Sequence, residues 1–540
     1  MKVYESIART LHSLGVGTMF GLVGDGNLLA VHSYTTGCGG RYVSAANEAA
    51  AVLMAIGYSA TSSELGVATV THGPGLTNTV TALVHGVRSR TPVVLLAADT
   101  ATADSNHLQN ICQRDITAST GAGFEQLQSP ITLAQDVSRA CTRALHERRP
   151  IVLNMPTDLK MLETETGEVP LLSPAAPRIA PDAAAMDAAV GLIANSKRPI
   201  VLAGRGATNS LAKASLLRLA DRTGAPVATT LKAKDLFRST PYDLGLFGTL
   251  STPATVEAIL DSDCIIAFGA SLNDWTTASG AYASGRRVVH CDIEAAQIGR
   301  YTPVDAALVG DAAFAADTIV AWLDEAQVPA TSFRSNGLAG LADVNCELSA
   351  GVSGPDGVDI YSALRAIEGA VPSDRTAVFD AGRFVIPALK TLHVSEPRAW
   401  VTTLDFASIG LAMPTAIGAA YGRPGHPVLV VTGDGGFMLG GLAEFNTAVR
   451  HGVDLVVAVL NDGSYGAELR HLRAHGLDTA LSQFDWPDFA PLAVSLGGEG
   501  IAIRSPADLV RLPTAVAGRR APLLIDFKLD PFNVPAPETG

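Results

Sequence analysis

Two clusters of oxygen-bearing side chains stand at the ends of apolar runs in the last third of the chain. Thr432-Gly433-Asp434-Gly435-Gly436 follows Val428-Leu429-Val430-Val431, and Asn461-Asp462-Gly463-Ser464-Tyr465-Gly466 follows the run from Leu455 to Leu460. Unbroken runs of Val and Leu suit strands covered on both faces, as in parallel sheets. Consecutive strands of a parallel α/β unit end on the same edge, which brings Asp434 and Asp462 towards each other. At such an edge the free N–H groups of a helix start favour an anionic ligand. A carboxylate there repels a phosphate unless a cation stands between them, and Mg²⁺ takes one or two carboxylates together with phosphate oxygens and water. A strand-to-helix turn accounts for one such aspartate and accounts poorly for two.

The N-terminal third carries a different set. Glu48 is a lone acid at the start of the small, apolar stretch Ala45 to Ala60, where a helix N-terminus by itself favours a negative charge. Gly24-Asp25-Gly26-Asn27 repeats the Gly-Asp-Gly letters in a second setting, where a turn accounts for Asp25. Imidazole changes charge near neutral pH and suits proton transfer. Histidines of this kind stand at His72, in Thr71-His72-Gly73-Pro74-Gly75-Leu76-Thr77-Asn78, and at His107, in Asn106-His107-Leu108-Gln109. A structural histidine bonded to backbone is the other reading of His72.

Short β-rich runs recur around these residues, among them Pro92 to Leu96, Pro150 to Leu153, Pro199 to Leu202, Cys264 to Phe268 and Pro522 to Asp526. Ala-rich helical stretches, such as Glu48 to Thr61 and Leu442 to His451, lie between them, and the alternation is that of α/β domains with crossover connections. Two stretches break it, at about 160–183 and 329–357, and both read as linkers. Three α/β domains result, at 1–165, 184–328 and 357–540. A chain of 540 residues, 47% hydrophobic and 17% charged, has ample apolar material for such cores. The net charge of −13, spread without long like-charge blocks, argues against nucleic acid as a partner. No run approaches the roughly 18 apolar residues that cross a bilayer. The first residues lack the features of a secretory signal, and the six cysteines contain no Cys-x-x-Cys pair. A cytoplasmic protein is expected.

Gly433-Asp434-Gly435, followed after one helix and one strand by Asn461-Asp462, resembles the thiamine diphosphate-binding motif. Ala45 to Ala60 resembles the helix that carries the same family's glutamate. Thr71 to Asn78, with Arg90-Thr91-Pro92-Val93-Val94, resembles an acetolactate synthase pattern, and Asp405 to Pro414 resembles the segment that bends the cofactor. The matches run in order from residue 20 to about 470. The chain thus resembles the acetolactate synthase, pyruvate decarboxylase and benzoylformate decarboxylase superfamily over nearly its whole length.

The resemblance implies three doubly wound parallel-sheet domains: pyrimidine-binding, central and diphosphate-binding. It implies Mg²⁺ held by Asp434, Asp462 and the Ser464 carbonyl, with Asp462 standing where Asn is commoner. Gly433, Gly435, Gly436, Tyr465 and Gly466 would surround the diphosphate, and the segment Asp380-Ala381-Gly382-Arg383-Phe384 falls where related enzymes touch it. Ile409 would wedge between the cofactor's rings, and the Ala407 carbonyl would accept from its amino group. Glu48 would hydrogen-bond the pyrimidine and drive formation of the ylid, the electron sink for carbanion chemistry. Asp25, Asn27, His72, Gln109, Glu468 and Leu469 fall on the substrate side, with Asp25 at the position of the GDxN of pyruvate decarboxylases, and the resemblance makes Asp25, His72 and His107 the candidate proton carriers.

These substrate-side residues follow no single subfamily. One histidine, His107, stands where pyruvate decarboxylases carry a His-His pair, and Gln128 aligns where acetolactate synthases keep a lysine. The glycines at 204, 206 and 269 are what any such central domain needs at its strand ends, and no flavin is expected. The function implied is cleavage next to a carbonyl, foremost decarboxylation of a 2-oxo acid through an enamine. A carboligase forming 2-hydroxyketones from an aldehyde or ketone acceptor is the alternative. A non-catalytic cofactor-binding homologue has less need of Glu48, and a nucleotide-binding dehydrogenase would require a G-x-G-x-x-G unit that is missing. A homodimer or homotetramer is implied, with Glu48 and Asp434 of different chains meeting at each site.

Overall fold

The computed structural model describes residues 1–165, 178–208, 210–341 and 357–530. Much of both expected linkers and the last residues of the chain lie outside these. Three six-stranded sheets make up the rest. The first contains β1 (Thr18–Gly21), β2 (Arg41–Ser44), β3 (Gly66–Val70), β4 (Val93–Asp99), β5 (Gly123–Gln126) and β6 (Ile151–Pro156). The second contains β7 (Pro199–Ala203), β8 (Val227–Thr229), β9 (Asp243–Leu246), β10 (Cys264–Phe268), β11 (Arg287–Asp292) and β12 (Ala306–Val309). The third contains β13 (Thr376–Phe379), β14 (Trp400–Thr402), β15 (Val428–Gly433), β16 (Leu455–Asn461), β17 (Glu499–Ile503) and β18 (Leu523–Lys528). Paired strands run parallel, and the apolar runs of the sequence are the strands with the most deeply buried residues, as two-sided coverage requires.

The strand orders are β2-β1-β3-β4-β6-β5, β12-β11-β10-β7-β8-β9 and β14-β13-β15-β16-β18-β17. In each sheet the chain first builds to one side and then crosses to the other, so a switch point opens between β1 and β3, between β7 and β10, and between β13 and β15. Open α/β sheets bind ligands outside the carboxyl ends of the strands at such points. The residues with chemistry gather there: Asp25 and His72 follow β1 and β3, and Asp380 and Asp434 follow β13 and β15. At the central switch point Gly206 N–H donates to the Gly269 carbonyl at 3.1 Å, and a side chain on Gly204 would strike that same loop. Those glycines serve backbone contact within their own domain.

The three α/β domains fall into two compact units, one holding the first and third sheets and the other the central sheet with residues 393–400. A single apolar cluster, running from Phe20 through Met54 to Ile417 and Leu524, joins the first and third sheets. Its axis is the crossing of two helices, Glu48–Ser62 and Ala412–Gly422. A Cβ on Gly57 would overlap the Thr415 carbonyl, and one on Gly418 the Met54 carbonyl, so the two backbones touch directly. Thr61 Oγ1 adds a bond to the Ala419 carbonyl at 3.2 Å. Among the described residues no helix is long and apolar enough to cross a membrane.

Gly418→Ala should therefore destabilise the chain by about 1–3 kcal/mol, the usual cost of forcing atoms into a packed contact. Gly369→Ala, in the helix Ile360–Ala370 with open space around it, should instead stabilise by about 0.5–1 kcal/mol by restricting the unfolded chain. Urea unfolding of the two variants checks the opposite signs.

Candidate active site

The third sheet delivers Asp434 and Asp462 from the ends of adjacent strands, β15 and β16. Gly433 pairs in register with Leu460, so the two turns that follow start side by side. Asp434 Oδ1 accepts from Gly435 N–H at 2.8 Å, and Asp434 Oδ2 accepts from Ser464 N–H at 3.1 Å. The same Ser464 N–H reaches Asp462 Oδ1 at 3.0 Å, and the Ser464 hydroxyl donates to that oxygen at 2.7 Å. One oxygen of each carboxylate thus converges on a single amide. Burial first, and Asp462 second, push the Asp434 carboxyl up to about 7. Arg383 Nη2 lies 2.6 Å from the other Asp462 oxygen.

The chain after β15 turns at once into helix at Asp434–Gly436, widens into a π-type turn at Phe437–Gly441 and continues as the helix Leu442–Arg450. The wide turn sets Gly440 against the Gly410 carbonyl, next to the Ile409 loop; such turns often mark functional sites. A side chain on Gly435 would run into the Tyr465 ring, and one on Gly433 would come within 3.1 Å of Phe384. The glycines let two aromatic rings pack directly against the backbone of this turn.

Asp380, which follows β13, ties this edge together. Its buried carboxylate accepts from Gly410 N–H at 2.9 Å, from the Thr432 hydroxyl at 2.9 Å and from Ala381 N–H at 3.0 Å. Burial pushes it up to about 6. The loop it holds carries Ala407 at φ 55°, a left-handed conformation costly for a residue with a side chain, followed by the half-buried Ile409. The resemblance puts Asp380 in a segment that touches the diphosphate; its carboxylate is instead taken up by the chain's own donors, a role that one acid after a strand of four residues signals only faintly.

At the first sheet Glu48 opens its helix, with Asn47 capping Ala49 N–H at 2.8 Å. Asn78, from the turn after β3, donates to Glu48 Oε2 at 3.0 Å. Just ahead of Glu48, Ala46 N–H donates to Glu444 Oε1 at 3.0 Å and Ser44 N–H to His451 Nε2 at 3.2 Å. The strand end before Glu48 is thereby fastened to the helix that follows the Asp434 turn.

The His72 and His107 rings meet edge to face with centroids 5.3 Å apart. Burial, and then the neighbouring His107, lower the His72 imidazole below its ordinary value, so its neutral form prevails at neutral pH. Asp25 is 83% exposed and pairs with Lys160 at 3.0 Å. Gln113, a residue the sequence did not flag, holds the His72 turn: its Oε1 accepts from Gly73 N–H at 2.9 Å, and its Nε2 donates to the Ala98 carbonyl at 2.9 Å. The Gln109 carbonyl packs against Gly73.

Two expected substrate contacts lie elsewhere. Asn27 is fully buried, its Oδ1 taking Gly24 N–H at 2.8 Å and its Nδ2 donating to the Leu22 carbonyl and Thr69 Oγ1, both at 3.1 Å. Its amide is spent on holding the Asp25 turn. Leu469 is wholly buried on the inner face of the helix Gly466–Ala474, whereas Glu468 points to solvent.

Residues 1–119, 186–320 and 380–527 match, in turn, the N-terminal TPP binding domain, the central domain and the C-terminal TPP binding domain of thiamine pyrophosphate enzymes. The chain belongs to the thiamine pyrophosphate enzyme family. It is similar to an acetolactate synthase of Mycobacterium bovis, at 28% identity over 97% of this chain and 87% of that one. A probable acetolactate synthase large subunit of Methanococcus aeolicus is 26% identical over 98% of this chain and 92% of its own length. A sulfoacetaldehyde acetyltransferase of Castellaniella defragrans is 24% identical over 92% of this chain and 88% of its own.

The residues present suit a family cofactor anchored through a cation. Two converging carboxylate oxygens, one on an acid that burial makes reluctant to ionise, form a set that a divalent cation stabilises. Among the described residues no three His, Cys, Asp or Glu side chains form a metal cluster, so main-chain, phosphate and water oxygens would complete the shell.

The proton on Asp434 gives a test. Its raised pKa means the folded chain keeps a proton that the unfolded chain releases above its ordinary 3.8. This group's contribution to stability therefore falls as pH rises from about 4 to about 7. Without added metal, Asp434→Asn should unfold at higher urea than the unaltered chain at pH 8, and the difference should shrink as pH falls and vanish only near pH 4. Unfolding midpoints at the two pH values check this.

Proposed function

We propose that this thiamine pyrophosphate enzyme depends on Mg²⁺ and cleaves the bond next to a carbonyl, decarboxylating a 2-oxo acid. The observation that carries the reading is the convergence of Asp434 Oδ2 and Asp462 Oδ1 on the Ser464 amide at a switch point. Asp434, Asp462 and the Ser464 carbonyl would hold the cation. Gly382, Arg383, Phe384, Gly433, Gly435, Gly436, Tyr465 and Gly466 would surround the diphosphate. Bound thiamine diphosphate supplies the electron sink that carbanion chemistry requires.

The chain's own residues provide positioning and proton handling. Asp380 fixes the loop of Ala407 and Ile409 against β15. Asn78 orients Glu48, whose carboxyl would hold the proton shared with the pyrimidine ring. His72 is aimed by the Gln113-held turn. Its Nδ1 lies 3.3 Å from Thr71 Oγ1, which leaves Nε2 to exchange a proton with substrate, and His107 and Asp25 flank it. The two histidines and Asp25 lie at carboxyl ends of the first sheet, where a substrate entering the β1–β3 switch point would meet them.

A carboligase that joins the cleaved fragment to an aldehyde or ketone is the second reading. Full-length similarity to proteins named acetolactate synthase favours it. The assembly proposed for either is a homodimer or homotetramer in the cytoplasm, with sites formed between chains.

Calorimetric titration of the full chain with thiamine diphosphate should give saturable binding only with Mg²⁺ present; absence of binding would end the reading. Glu48→Gln should lower turnover by about 10²–10⁴-fold, the usual worth of a positioned acid, and leave most of the cofactor affinity. A panel of 2-oxo acids with and without carbonyl acceptors, followed by CO₂ release and product mass, separates decarboxylase from carboligase.

A further inference from the structure

The pair Arg383–Asp462 stands out among the ion pairs because both side chains are enclosed, at 8% and 11% exposure. A surface ion pair contributes little, whereas removing one member of a buried pair leaves an uncompensated charge. Asp462 also departs from the asparagine commoner at its position in the family motif, and so adds a negative charge beside a site that receives an anionic diphosphate. The carboxylate divides its work. Oδ2 faces Arg383 at 2.6 Å, while Oδ1 faces Ser464 and, through the shared amide, Asp434. The backbone makes room for this: a side chain on Gly466 would come within 2.8 Å of Arg383 Nε and 3.1 Å of Asp462 Oδ2.

We infer that Arg383 is the counter-charge that allows an aspartate to serve at position 462. Two carboxylates and one guanidinium leave the site with the single negative charge that an Asp–Asn pair would carry. The guanidinium holds Oδ2 and commits Oδ1 to the side of Asp434. Arg383 is a positioning residue in this scheme, acting on the cation through Asp462, and the inference rests on the Mg²⁺ and thiamine diphosphate reading above.

A four-member cycle tests it: the unaltered full chain, Arg383→Gln, Asp462→Asn and the double variant. Each is titrated calorimetrically with thiamine diphosphate at fixed Mg²⁺, and each is unfolded thermally without ligand. Arg383→Gln leaves an extra carboxylate facing the diphosphate, and Asp462→Asn leaves a buried guanidinium beside the cation. Each should weaken binding about tenfold, and the double variant should return to within about threefold of the unaltered chain, as expected for directly coupled residues. Arg383→Lys, which keeps the charge, should bind more tightly than Arg383→Gln.

Losses that simply multiply in the double variant would overturn the inference. So would single variants that melt earlier yet bind as tightly as the unaltered chain, the signature of a purely structural pair. An unaltered chain that fails to bind would remove the cofactor reading itself, and the inference with it.

Discussion

The architecture that carries chemistry depends on one contact, the backbone-to-backbone crossing of the helices that begin at Glu48 and Ala412. Met54 packs on Gly418 and Tyr58 on Gly422, so the helices run in the same sense and start at the same end. Glu48 lies six residues before Met54, and Ala412 six before Gly418; at the helical rise each start is about 9 Å along its axis from the crossing. One helix start bears the acid, and the other is preceded by the Ile409 loop. Glycine is costly inside a helix, and here the cost is offset by an approach that no side chain would permit. Displacing either backbone would shift Glu48 and the Ile409 loop relative to each other.

Around that crossing the chain stores electrostatic tension at the third sheet. Asp380 and Asp434 are both buried and both pushed up, to about 6 and about 7. They are not equivalent. Asp380 accepts donors from three segments and so serves as a knot, with its charge spread over N–H and O–H groups. Asp434 faces a second carboxylate, Asp462, and that repulsion is part of what raises it. A knot is complete within the chain, whereas a pair of converging carboxylates gains most from a cation. The contrast separates an acid whose donors are complete from one that a neighbouring carboxylate repels more clearly than either residue's identity does.

Much of the fold was legible because long apolar runs have one physical explanation, strands covered on both faces. The weaker signals were the strands of three or four residues, such as β8 and β13, where alternation has no length to develop. At the site, the proximity of Asp434 and Asp462 followed from strand order alone. Burial did not. Asn27 is expected on the substrate side, yet Leu22, Gly24 and Thr69 consume its amide. Leu469 reads as a pocket-lining apolar group, yet its helix turns it inward. Gln113 looks like one more polar residue in a loop, and only the Gly73 amide it receives reveals its task. Each of these depends on a partner distant in sequence, which periodicity and spacing do not encode.

The two Gly-Asp-Gly copies show how such partners decide chemistry. Both lie at switch points of parallel sheets, so local letters and topology are shared. At Asp25 the neighbouring groups are Lys160 and, from the next strand over, the buried His72, whose ring meets that of His107. At Asp434 the neighbours are an enclosed carboxylate and a run of N–H groups, a setting that resolves its own repulsion by taking up either a proton or a cation. The same tripeptide thus holds an exposed, ion-paired aspartate in one sheet and a buried, crowded one in the other, and the difference lies in what the neighbouring strand brings beside it.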